Sequence, residues 1–155
     1  MRYLNKIIFI NSAHVPYTEI KLDGNVHFIG TQGVGKSTLL RAILFFYNVD
    51  KSKLGIKTQA GQKGYDEFYL PHQNSYIIYE VSRETGKFFV MTFLSHGRTA
   101  FRIVDCAYDK RFFVEEDGSA RYEWGRISEQ IGTRVYKNNI IRGYEEFRDI
   151  IYGNS

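Results

Sequence analysis

"HFIGTQGVGKSTLL", residues 27–40, decides how the rest of the chain is read. An apolar strand runs into a glycine-rich turn, then a lysine, two hydroxyls and an apolar helical pattern. From Gly30 it satisfies G-x-x-x-x-G-K-[ST], the phosphate-binding (Walker A) spacing. The chemistry explains the residue types. Gly30, Gly33 and Gly35 let the backbone turn so that successive N–H groups point inward, with no Cβ in the way of phosphate oxygens. A helix starting near Lys36 adds unpaired N–H groups and its positive dipole end. Lys36 reaches the β- and γ-phosphates as a flexible point charge and carries the catalytic role. Ser37 is placed to ligate Mg²⁺. Thr38 can hydrogen-bond the α-phosphate, or simply bury its methyl in the helix.

Upstream, residues 6–10 read as a buried strand, and "YTEIKL" (17–22) alternates polar and apolar positions. "DGN" (23–25) turns the chain into a third strand, Val26 to Ile29, which delivers the loop. A helix is expected from Lys36 to about Tyr47, apolar on more than one face and so buried against a sheet. Residues 50–65 carry four lysines and three glycines and read as a solvated, mobile loop. Four strand patterns follow, at 75–82, 87–94, 100–106 and 110–116, joined by turns short enough to require antiparallel hairpins. "RISEQI" (126–131) and "YEEFRDIIY" (144–152) read as short helices, with Gly153 a C-cap for the second.

The bulk properties agree with one globular domain. The chain has 155 residues, 43% hydrophobic and 25% charged, with twelve Tyr, twelve Phe and two Pro. A net charge of +4 permits a polyanionic partner without requiring one. The single cysteine, Cys106, leaves no disulfide framework or cysteine cluster for zinc, and its apolar surroundings predict a buried, inert thiol. "IIFI" (7–10) is too short for a signal-peptide core, no stretch approaches a membrane span, and a cytoplasmic location is expected.

"KIIFINSAHVPYTEIKLDGNVHFIGTQGVGKSTLLRAILFFYN" resembles the N-terminal half-head of the SMC-like ATPases: the chromosome-structuring proteins, the recombination-repair RecF group and the MukB-type condensins. The resemblance implies an α/β (α+β) P-loop NTPase half-head, with a mixed sheet, a buried P-loop helix and an antiparallel β-lobe. On that reading residues 1–155 are the N-terminal portion of a head. Residues 6–48 would be the P-loop subdomain, 50–65 a flexible basic loop, 75–116 the meander and 126–152 short helices. The resemblance implies ATP and Mg²⁺ as cofactors, held by Gly30, Gln32, Gly33, Val34, Gly35, Lys36, Ser37 and Thr38, with Ser37 on the metal. Many relatives have Asn in place of Gln32 and Ser or Ala in place of Val34. Relatives often put Arg or Lys in the loop after the first strand; here that loop reads "NSAHVP", and His14 is the nearest equivalent.

Hydrolysis also needs a Walker B aspartate and a group that positions the attacking water. "YIIYE" ends at Glu80 and "FRIVD" at Asp105, but Tyr76 and Arg102 make both look like amphipathic meander strands. In SMC-like heads these parts lie in a C-terminal half beyond a coiled coil. The expected partners are therefore a C-terminal half-head, of the same or another chain, and a second head in a dimer. DNA is a further candidate partner, and no membrane is expected. The alternative is a self-contained P-loop phosphotransferase or nucleotide switch, in which Glu80 or Asp105 would reach the Mg²⁺ site. Lys51, Lys53, Lys57 and Lys63, with Arg121, Arg126, Arg134, Lys137 and Arg142, would line a DNA path or form ordinary solvated charge. His14, His27, His72 and His96 are too scattered for a metal cluster.

Overall fold

Strand alternation and two turns of aromatic residues build the framework. In a computed structural model, the structure describes residues 3–22, 26–29, 35–47, 56–58, 61–121, 123–134 and 140–141. Strands β1 (Tyr3–Ser12), β2 (Val15–Leu22) and β3 (Val26–Ile29) precede helix α1 (Lys36–Phe46). A short hairpin, β4 (Ile56–Thr58) and β5 (Gly61–Lys63), and helix α2 (Tyr65–Tyr69) follow. Then come β6 (Tyr76–Arg83), β7 (Gly86–Ser95), β8 (Arg98–Val104) and helix α3 (Trp124–Ile131).

The main sheet has six strands in the order β3-β2-β1-β6-β7-β8, and every neighbouring pair is antiparallel. The expected mixed sheet is therefore corrected: this is an antiparallel α+β fold and not a mixed-sheet P-loop half-head. The physical reason lies in the route of the chain. A parallel neighbour for β3 would have to arrive by a crossover through α1. The chain instead passes through β4, β5 and α2 to β6, which pairs with β1, while β3 stays at the sheet's edge.

Alternation along the strands gives each face its own core. Ile7, Phe9, Ile77, Tyr79, Val81, Phe88, Val90, Phe101 and Ile103 pack under α1 and α2. Ile8, Ile10, Tyr76, Ile78, Phe89, Met91 and Val104 face the other way, under α3 and Phe112–Val114. Helix α1 buries Leu39, Ala42, Phe45 and Phe46 but leaves Leu40 55% and Tyr47 47% exposed. The expected buried P-loop helix is thus also corrected: its apolar residues lie on more than one face, and packing covers only one side of α1.

Two smaller differences follow from local geometry. Residues 110–116 form no strand. Asp109 accepts a bond from the Arg111 N–H and starts a 3₁₀ turn at Lys110–Phe112, and Val114 bridges to Ala120. Within 50–65, residues 56–58 and 61–63 form the β4–β5 hairpin; the remainder of the expected loop up to residue 60 lies outside the described residues. The helix expected at 126–131 is present as α3, ended by Gly132 at φ +73°. The one expected at 144–152 lies outside the described residues.

Candidate functional site at the start of α1

Four segments converge at one end of the sheet, as the strand register dictates. The β1–β2 turn closes there with Ser12 opposite Val15, β6 begins there with Tyr76 opposite Ile10, and β3 runs toward that end before α1. Gly30, Gln32, Gly33 and Val34 lie outside the described residues; Gly35, Lys36, Ser37 and Thr38 are described. Gly35 occupies the N-cap position of α1, and its carbonyl accepts the Leu39 N–H at 3.0 Å.

This helix start has three properties suited to an anion. No side chain caps it, and its first turn carries no acidic residue, so its positive end is not neutralised from within α1. Lys36 and Ser37 are exposed. The backbone of Gly35, at φ −66° and ψ 162°, is open to any residue, and a Cβ built there meets no atom of the described residues within 4 Å. Neither strain nor crowding by the described residues explains a glycine at this position. These features fit the close approach of a phosphate group to the backbone, and the exposed Ser37 hydroxyl is a hard oxygen of the kind that could hold Mg²⁺.

Sequence reasoning missed what holds this helix. The Tyr69 hydroxyl donates to the Thr38 carbonyl at 2.7 Å, and the Tyr79 hydroxyl donates to the Ala42 carbonyl at 2.8 Å. The Tyr69 carbonyl in turn accepts from Ser12 Oγ in the β1–β2 turn. Burial pushes the Tyr69 phenol up, only partly offset by Arg41, so it remains a donor at any ordinary pH. The aromatic spacing Tyr65, Phe68, Tyr69 was the available signal, since i, i+3 and i+4 is helical spacing.

The two acids considered as Walker B candidates are engaged elsewhere. Glu80 is buried on the face away from α1, accepting from Asn5 Nδ2 at 2.6 Å and from the Tyr108 N–H at 2.8 Å. Asp105 follows β8, is largely exposed and pairs with Arg83. Among the described residues no group of three or more His, Cys, Asp or Glu could hold a metal.

His14 lies in the β1–β2 turn, where Asn11, Ala13 and His14 all adopt positive φ. The turn is pinned by Asn11 Nδ2 to Asn74 Oδ1 at 2.8 Å and by the Ala13 N–H to the Phe68 carbonyl at 3.1 Å. The His14 ring sits edge-on to Phe68, and with His72 and Glu67 it lines a cavity of about 420 Å³. Cys106 is half-buried, and burial pushes its thiol up, away from the reactive thiolate.

The described basic residues near the tail are engaged locally. Arg121 and Arg126 share the Glu115 carboxylate at 2.9 Å each, in a groove also lined by Lys110, Arg111, Glu116 and Asp117. Arg134 lies over Phe112. Lys51, Lys53, Lys137 and Arg142 lie outside the described residues, and Lys57 and Lys63 are on the β4–β5 hairpin.

Fold and site together define a class: an antiparallel α+β protein with a Walker A sequence running into its longest described helix. The chain belongs to the DUF3584 family, described as "Protein of unknown function", whose family model matches residues 8–154. No curated protein and no solved structure matches the chain. Among the described residues, no helix is long and apolar enough to cross a membrane.

Proposed function

We propose that this chain is the ATP-binding N-terminal portion of a cytoplasmic, DNA-acting ATPase of the SMC-like, RecF-like or MukB-type kind, serving DNA repair, chromosome organisation or defence. The observation that carries the reading is the start of α1, free of acid in its first turn and with no described residue crowding Gly35, within the Walker A spacing. Backbone N–H groups of the loop and first turn would bind the phosphates, Lys36 would neutralise the β- and γ-phosphate charge, and Ser37 would ligate Mg²⁺. Bound Mg²⁺ would supply charge neutralisation between the phosphates.

Hydrolysis in this reading awaits a C-terminal portion carrying Walker B and a signature motif, and a second head. The engagement of Glu80 and Asp105 away from α1 favours this over a self-contained phosphotransferase or switch. The exposed stripe of Leu40 and Tyr47 on α1 supports a further protein surface covering that side. The test is ATP binding by calorimetry beside ATP turnover, both with Mg²⁺ and with Lys36→Ala as control. Binding without turnover, lost in Lys36→Ala, is the expected result. No binding, or turnover by this chain alone, would overturn the proposal.

A further inference from the structure

We infer that Tyr69 and Tyr79 are positioning residues for the phosphate-binding turn, acting through the carbonyl row of α1. Thr38 and Ala42 are one helical turn apart on the same face. Each carbonyl takes a phenolic hydrogen bond from outside the helix, one from α2 and one from β6. Both carbonyls also belong to the helix's own ladder, so the phenols are second donors that add position rather than helicity. Two fixed points on one face determine where the helix sits along its axis and how it is rotated. The first-turn N–H groups inherit that placement.

The same tyrosine ties the helix to the end of β1. Tyr69 takes a hydrogen bond from Ser12 on its carbonyl and gives one to Thr38 from its hydroxyl, so the β1–β2 turn and the first turn of α1 are joined through one residue. The ring itself is held by Phe68 at 4.9 Å and Tyr65 at 4.4 Å between centroids. Tyr79 is fixed by stacking on Phe46 at 4.7 Å. Removing either hydroxyl leaves these ring contacts in place.

This inference rests on the reading of the α1 start as a nucleotide site, and the experiment separates the two. Tyr69→Phe and Tyr79→Phe are compared with the parent chain in three measurements: amide hydrogen exchange without nucleotide, thermal unfolding, and ATP–Mg²⁺ affinity. The expected result is faster exchange confined to α1, an unfolding midpoint close to the parent's, and affinity weakened about tenfold in Tyr69→Phe, the size of one net hydrogen bond. Unchanged exchange in α1 overturns the positioning role whether or not nucleotide binds. Faster exchange with unchanged affinity overturns its link to the phosphate turn while the nucleotide reading stands. A drop in affinity accompanied by loss of protection across the sheet assigns both tyrosines a merely structural role and overturns the inference. If the parent chain binds no ATP, the nucleotide reading and the inference fall together.

Discussion

Asn5 donates its side-chain amide to the carboxylate of Glu80 at 2.6 Å, across the two central strands of the sheet. The β1–β6 register shifts between Leu4 and Lys6, and such a bulge re-aims a side chain that alternation would send to the other face. The second carboxylate oxygen takes the Tyr108 N–H. Glu80 is thus a buried carboxyl group held by two donors, a structural residue beneath the loop that follows β8. Asn5→Leu removes one donor from it, and a loss of about 2–3 kcal/mol in urea unfolding is expected. Nucleotide affinity should be unaffected, because Glu80 faces away from α1.

Gly35→Ala tests the open space at the helix start. The backbone there tolerates a side chain and no described residue within 4 Å opposes the added methyl, so stability should change by no more than about 1 kcal/mol. A bound phosphate would compete for the same space. Calorimetry should find ATP affinity lowered by about 100-fold or more, equal to roughly 2.8 kcal/mol. A fold that survives while binding fails would assign the glycine to the ligand.

The two sides of α1 predict opposite responses. Phe46→Ala removes a buried ring that stacks on Tyr79 and should cost about 3–5 kcal/mol in chemical denaturation. Leu40→Lys alters a residue already 55% exposed and should change stability by less than about 0.5 kcal/mol. If a protein partner covers this side, Leu40→Lys should abolish its capture in a pull-down while leaving ATP affinity intact.

Acid sensitivity has a local source at Asp109. Hydrogen bonding from Arg111 holds its carboxyl below the usual aspartate range. A depressed folded-state pKa contributes stability above the unfolded value of about 3.9, which is lost as pH falls through the lower folded value. Asp109→Asn should therefore lower the urea midpoint at pH 7, by an amount that shrinks as pH falls below the usual aspartate range, measured by fluorescence-detected unfolding.

The strands and α1 were readable because each has one dominant period. "YTEIKL" alternates, and the turns joining the apolar runs of β6, β7 and β8 are too short for anything but antiparallel pairing. "KRFFVEE" misled because Phe112, Phe113 and Val114 look like strand residues, yet all three are buried in succession, which a one-sided strand does not allow. The mixed sheet came from likeness to a family, and no local pattern specified which edge of the sheet would receive the chain after α1. At the site, the helix start was legible in the loop's spacing. Its support by Tyr69 and Tyr79 was not, since those bonds join positions 31 and 37 residues apart.

The pairing of β1 with β6 also sets the order in which the molecule can form. These neighbours at the centre of the sheet are joined side chain to side chain by Asn5 and Glu80, 75 residues apart. The N-terminal hairpin can close early, but its first strand stays open on one side until β6 has left the ribosome. At about 5–20 residues per second, that delay lasts seconds. Throughout it, the strand "KIIFINS" has an unpaired apolar edge, and this interval is where chaperone capture or aggregation would compete with folding.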